Sequence, residues 1–167
     1  LTATTNANSG VINMDQLAVY GSIAVVTDGN CAATVGNDAS IEFATSTGRR
    51  ALSATATTGD ITDSGTLTIT GASLFTTKVD GRNIVLDSSG NSFAAAVTMK
   101  AGTAGGDTFG NITFVDNAAV NFHSSAAANG DLYIDASTDL AVGGNFSITA
   151  TSGIILQVPI SVAPPPA

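Results

Sequence analysis

The sequence predicts an all-β fold built as a parallel β-solenoid, and three observations predict it. Short runs of alternating apolar and polar residues recur along the chain. Turn-forming residues separate them roughly every 7–12 positions. Similar phrases also return at irregular spacing, as they would if loops of varying length joined strands of constant form. In Thr66-Leu67-Thr68-Ile69-Thr70 the alternation is strict. It places Leu67 and Ile69 on the inner face and the threonines on the outer one, where β-branched residues sit well. Gly65 and Gly71 bracket the run as turn residues.

Taken in order, the apolar clusters predict strands at 17–20, 23–26, 41–43, 52–56, 67–70, 74–76, 84–86, 97–99 and 112–115. Further strands are expected at 120–122, 132–134, 140–142, 146–149, 154–156 and 160–162. No segment carries the 3.6-residue period of a helix. Two sets of echoes favour a solenoid over a sandwich. Residues 51–61 (ALSATATTGDI) resemble 145–155 (NFSITATSGII), with a fainter copy at 1–5. Asn83-Ile84-Val85-Leu86-Asp87 resembles Asn111-Ile112-Thr113-Phe114-Val115-Asp116 and Asp131-Leu132-Tyr133-Ile134-Asp135. Coils of roughly 20–30 residues, stacked at ~4.8 Å, would make about six to eight turns and a rod ~35 Å long. A narrow interior would favour Ala, Val, Ile, Leu and Thr, in keeping with only 5% aromatic residues. Asn83, Asn91, Asn111, Asn117 and Asn129 fall near corners, where they suit left-handed turns and stacked side-chain ladders.

Composition excludes several classes. Apolar residues make up 44%, too many for a disordered chain, while 11% charged residues are too few for a helical bundle. The formal charge of −8, with only Arg49, Arg50, Lys78, Arg82 and Lys100 as cations, leaves no basic stripe for nucleic acid. No apolar run reaches the ~18–20 residues of a membrane span. Cys31 is the single cysteine, so no internal disulfide forms. Starting at Leu1 without Met or a leader, the chain reads as a mature or excised piece of something longer.

Residues 52–77 (LSATATTGDITDSGTLTITGASLFTT), 81–99 (GRNIVLDSSGNSFAAAVTM) and 139–154 (DLAVGGNFSITATSGI) resemble the repeat region of filamentous-haemagglutinin-like bacterial surface exoproteins. The resemblance covers roughly 51–162. It implies a right-handed parallel β-helix, an extracellular or cell-surface location, export by two-partner secretion, and a role as adhesin or adhesin stalk. Three regions follow. Residues 1–50 match poorly and form divergent coils or a cap. Residues 51–162 form the haemagglutinin-like β-helix. Residues 163–167 (APPPA) form an exit linker, since proline cannot donate to a ladder. Asn6-Ala7-Asn8-Ser9-Gly10 is only loosely similar to the Asn-rich motif of the secretion domain of such proteins. The implied partners are the chain itself, end-to-end or side by side, and cell-surface glycans or receptors.

β-helices also host polysaccharide lyases and hydrolases, which is the enzymatic alternative. Asp60 and Asp63 form a D-x-x-D pair, read as turn residues. Asp87, Asp116 and Asp135 each close a strand; if their coils stack in register they form a carboxylate column that attracts a cation. His123 is expected outward with no partner to orient it, and Cys31 as a small buried hydrophobe. Residues 102–111 (GTAGGDTFGN) fit neither a calcium nonapeptide nor a phosphate loop, and Arg49-Arg50 reads as a solvated turn. Ice binding is a further alternative. Its Thr-x-Thr motifs at 45–47, 55–57 and 66–68 are spaced more closely than a coil and are expected on successive faces. The sequence therefore assigns no catalytic, cofactor-binding or metal-binding residue and no cofactor.

Overall fold

The computed structural model describes residues 1–6, 10–102 and 110–117, and the strand segments 120–122, 131–133, 146–150 and 154–156. The described chain is all β, with no helix, and it winds as a parallel β-solenoid of about five turns. Three strands make each full coil. In the first coil β1 (Thr2–Thr4) and β2 (Ile12–Leu17) are followed by a single bridge from Ile23 to Phe43. The second coil holds β3 (Ala24–Val26), β4 (Ala33–Asn37) and β5 (Ile41–Phe43). The third holds β6 (Ser46–Gly48), β7 (Leu52–Ala56) and β8 (Ile61–Asp63). In the fourth are β9 (Leu67–Ile69), β10 (Ser73–Thr77) and β11 (Ile84–Leu86). The fifth contains β12 (Ser92–Phe93), β13 (Val97–Ala101) and β14 (Ile112–Asp116). Beyond it lie β15 (Val120–Phe122), β16 (Asp131–Tyr133), β17 (Phe146–Ala150) and β18 (Ile154–Leu156).

Stacking gives three parallel sheets. The first runs β1-β3-β6-β9-β12, the second β2-β4-β7-β10-β13-β16-β15-β18, and the third β5-β8-β11-β14-β17. The expected six to eight coils become about five, and among the described residues β15, β16 and β18 extend the second sheet. The two sets of echoes divide in the same way. Residues 84–86 and 112–114 do stack directly in the third sheet, Ile84 on Ile112 and Leu86 on Phe114. Asp131–Tyr133 instead pairs with β13 in the second sheet. The phrase at 51–61 supplies β7 to the second sheet, whereas 145–155 supplies β17 to the third. Similar words mark similar strands without fixing which face receives them.

Alternation makes the core. In β7, β10 and β13 every second residue is buried, and the stacked strands align those residues into columns. One column of the second sheet is Ala33–Leu52–Ser73–Val97, and the next is Val35–Ala54–Phe75–Met99. The third sheet carries Ile41–Ile61–Ile84–Ile112. All four isoleucines are buried, as are Leu67 and Ile69 from the first sheet. Rings enter the interior more freely than a narrow lumen would suggest. Phe43, Phe75, Phe93 and Phe114 are fully buried and touch in succession, with centroids 6.2, 6.1 and 5.1 Å apart. They come from the third, second, first and third sheets, so the rings form a winding internal column. Edge-on contacts between the first pairs suit the aromatic quadrupole.

Six observed strands were missing from the sequence expectation or displaced. β2 begins at Ile12, not 17, and β1, β4, β6, β8 and β12 were not expected. The unexpected ones are short of large apolar side chains: TAT, ATVGN, STG, ITD and SF. Where a neighbouring coil supplies pairing on both edges, small and polar residues suffice to continue the ladder. The strands expected at 140–142 and 160–162, and the 163–167 linker, lie outside the described residues.

Candidate functional site

Among the described residues, hydrogen-bonded ladders of polar side chains stand at the corners of the solenoid. At the corner leading into the third sheet, Ser40, Asp60, Asn83 and Asn111 form a ladder. The Asp60 amide donates to Ser40 Oγ at 3.2 Å. The Asn83 amide donates to Asp60 Oδ1 at 2.7 Å, and the Asn111 amide to Asn83 Oδ1 at 2.8 Å. Each side chain thus satisfies a backbone donor of the coil stacked on it, at the point where the turn has interrupted the sheet. Asn83 and Asn111 were expected in such a ladder; that Asp60 and Ser40 share it was not.

Asp63 serves the following corner. Its Oδ1 accepts from the Asp87 amide at 3.0 Å, and its Oδ2 from the Ser88 amide at 3.4 Å and from Asn91 Nδ2 at 2.6 Å. Asn91 is wholly buried, and its Oδ1 accepts from the Leu67 amide at 2.8 Å. The D-x-x-D pair is therefore two ladder residues pointing to separate corners, with both carboxylates used by backbone donors. Asp60 stands just before β8, whereas Asp63 is its last residue and not part of a turn.

The carboxylate column at Asp87, Asp116 and Asp135 is not formed by the two members that are described. Leu86 pairs with Phe114, so Asp87 lies one residue past that pair and Asp116 two. A one-residue offset sends side chains to opposite sides. Asp87 is exposed while Asp116 is buried, where its Oδ1 accepts from the Phe93 amide at 3.3 Å. Asp135 lies outside the described residues. Among the described residues no group of three or more His, Cys, Asp or Glu is placed to hold a metal ion.

Cys31 is buried and in no disulfide, as a small core residue would be. Arg49 and Arg50 are exposed in the turn between β6 and β7, as expected. The Arg49 amide donates to Thr27 Oγ1 at 3.0 Å, and Arg50 Nε donates to Asn30 Oδ1. His123 and residues 103–109 of the glycine-rich loop lie outside the described residues. The Thr-x-Thr motifs correct one expectation. Two of the three share a face, since Thr47 stacks on Thr68 in the first sheet; Thr55 belongs to the second. A spacing of 21 residues is one full coil here, the sum of the two shorter steps of 10 and 11 between the motifs. The array stops there: Val26 lies beside Thr47 on one side and Ser92 beside Thr68 on the other.

The outer faces are low in charge. On the second sheet, outward positions stack as Thr34–Ser53–Leu74–Thr98 and Gly36–Thr55–Thr76–Lys100. Sequence reasoning missed the inward polar residues Ser46, Asn37 and Asp116, because their partners come from other coils. Ser46 Oγ accepts from the Val25 amide at 3.0 Å, and Asn37 exchanges bonds with both backbone groups of Val19. A polar residue at an inward position between turn residues was the only signal in the sequence.

Residues 28–100 match the model of a family described as repeats of unknown function (DUF5649). The match runs from the turn before β4 almost to the end of β13, so it covers the regularly coiled part of the rod. Comparison with curated proteins and with solved structures gave no match.

Proposed function

We propose that this chain is a segment of an extracellular, adhesive or structural rod of the filamentous-haemagglutinin-like type, without enzymatic activity. In this reading its coils wind to the right, and the rod stands at a bacterial surface after two-partner secretion. It presents loops and flat faces to cell-surface glycans or receptors, and it associates with itself. The observation that carries the reading is the continuous three-sheet stack whose polar side chains are spent on holding coil to coil. Asp60 and Asp63, the best-placed carboxylates, are both engaged by backbone amides. A hydrolase or lyase needs such groups free to meet substrate. The repeat-family match over 28–100 is in keeping with a repeated scaffold.

Electron microscopy of the purified chain, together with its solution mass and binding to immobilised glycans and to cells, tests the reading. Rod-shaped particles that bind saturably and leave the glycan intact are expected. Release of oligosaccharide products from an acidic polysaccharide would overturn it in favour of the enzyme. Absence of binding to any glycan or cell surface would remove the adhesive role.

A further inference from the structure

The chain contains two Asp–Gly pairs, at 28–29 and 80–81. Asp80 is half-buried in the turn after β10, whereas Asp28 is exposed in the turn between β3 and β4. Gly29 is left-handed, with a φ of 63°. That backbone favours glycine, so no Cβ shields its nitrogen. The Gly29 amide donates to Oδ1 of Asp28, the residue just before it, at 2.8 Å. A carbon–oxygen bond of ~1.23 Å then places Cγ of Asp28 no more than ~4 Å from that nitrogen. Reacting atoms at about 3–3.5 Å are in near-attack geometry, so the turn already holds nitrogen and carbonyl carbon close to reaction distance.

We propose that Asp28–Gly29 is a site of self-modification, at which aspartate isomerises to isoaspartate through a cyclic imide. The Gly29 nitrogen attacks Cγ of the protonated Asp28 carboxyl. The N–Cγ bond forms, and the amide proton leaves with the carboxyl hydroxyl as water. Water then opens the five-membered imide. Addition at Cγ breaks the new bond and restores aspartate. Addition at the main-chain carbonyl breaks the original peptide bond instead. The chain then runs through Cβ, and the α-carboxylate becomes the side group. Water is the only co-reactant, and the exposed turn supplies it.

The consequence is set by what clamps the turn. On one side the Thr27 amide donates to the Thr47 carbonyl at 2.8 Å, and Thr27 Oγ1 accepts from the Arg49 amide at 3.0 Å. On the other the Ala32 carbonyl accepts from the Ile12 amide at 3.1 Å, and the Ala33 amide donates to the Ala51 carbonyl at 2.9 Å. Cys31, next to the second clamp, is wholly buried. Residues 28–30 must therefore absorb the extra backbone carbon, ~1.5 Å of chain. That shift moves Asn30, whose Oδ1 accepts from Arg50 Nε and so ties this turn to the third coil. Isomerised rods have a loosened second coil, and the modification accumulates as a mark of age. The inference goes beyond the function given above and does not rest on it.

Ageing the purified whole chain in warm buffer, followed by fragment-ion mass spectrometry that separates isoaspartate from aspartate, tests the site. Isoaspartate is expected to accumulate at Asp28 about threefold or more faster in the folded chain than in urea. A transient species lighter by one water marks the imide. Asp28→Asn, which closes the same ring by losing ammonia, is expected to convert faster still and to gain mass as its amide becomes a carboxyl. Asp28→Glu requires a six-membered ring and is expected to stay unmodified. Aged chain enriched in the isomer should melt a few degrees below fresh chain, whereas Asp28→Glu aged in parallel should not change. Isomerisation no faster in the folded chain than in urea would overturn the proposal, as would its absence from folded Asp28→Asn. An isomerised chain that melts with the fresh one would overturn the loosening. Rod images and glycan binding are read on fresh protein, so failure of the adhesive reading leaves this result standing.

Discussion

The second and third sheets stack the same coils in different ways. Strands β4, β7, β10 and β13 of the second sheet are five residues long and pair along their whole length. Strands β5, β8 and β11 of the third sheet have only three residues. With many backbone pairs to fix its register, the second sheet tolerates Ala, Leu, Ser and Val in one inward column. The shorter third sheet repeats isoleucine four times and adds the Ser40–Asp60–Asn83–Asn111 ladder at its entrance. In the third sheet side-chain identity is constant where backbone pairing is brief, whereas the equally short strands of the first sheet stack Ser46 on Leu67 and Gly48 on Ile69. The lesson is that register in a solenoid can be set by ladder length or by side-chain repetition, and this chain uses both.

That contrast can be tested by truncating what the third sheet holds constant. Ile84→Ala empties a fully buried position between Ile61 and Ile112 and should lower unfolding free energy by about 2–5 kcal/mol in urea titration. A loss no greater than that of Val97→Ala would mean that the isoleucine repeat has no special role. A steric test addresses the second sheet where its pairing is irregular. The β2–β4 register shifts between Met14 and Leu17, and a Cβ on Gly36 would lie 2.4 Å from the Asp15 carbonyl oxygen. Gly36→Ala should therefore destabilise by about 1–3 kcal/mol, measured in the same titration. Were it neutral, the close approach at the bulge would not be needed for the first coil to dock.

The ladder itself is probed by a pair of substitutions. Asn83→Ala leaves the Asn111 amide without its acceptor and should cost about 1–2 kcal/mol, whereas Asn83→Asp keeps an acceptor oxygen and should stay within about 0.5 kcal/mol of the parent. Equal losses in the two variants would assign the effect to packing. The smallest effect has the opposite sign. Ser73 faces inward, and its Oγ is buried with no hydrogen-bond partner. Ser73→Ala should therefore stabilise by up to about 1 kcal/mol, visible as a raised thermal midpoint. A loss of stability would show that the hydroxyl is needed where it sits.

Much of the architecture was legible in the sequence, for a reason that the pairings make plain. Leu67 and Ile69 alternate with threonines, and Ile84 and Ile112 sit in matching phrases, so strand and stacking partner could both be read. What escaped was whatever the next coil supplies. STG at 46–48 is a strand because Leu67, Thr68 and Ile69 pair with it, and nothing inside those three residues says so. Asp60 and Asp63 were read as turn residues from their residue type, but Asp63 closes β8, and the amides the two accept from lie 23 to 25 residues further on. Faces were also misjudged for Thr47 and Thr68, since assigning them requires the coil length, which varies.

That variable winding has a mechanical meaning. Along the third sheet, successive stacked isoleucines are 20, 23 and 28 residues apart, although the register between them is constant. Ladder hydrogen bonds run from coil to coil along the rod, so tension applied to its ends is borne by these bonds and releases one coil at a time. Extended chain spans at most ~3.3–3.6 Å per residue. Coils of this kind would thus pay out successive lengths of about 7 to 10 nm, increasing from the amino-terminal side. A stretched rod would carry in its force trace a readable order of coils, and it would lengthen in steps before it failed.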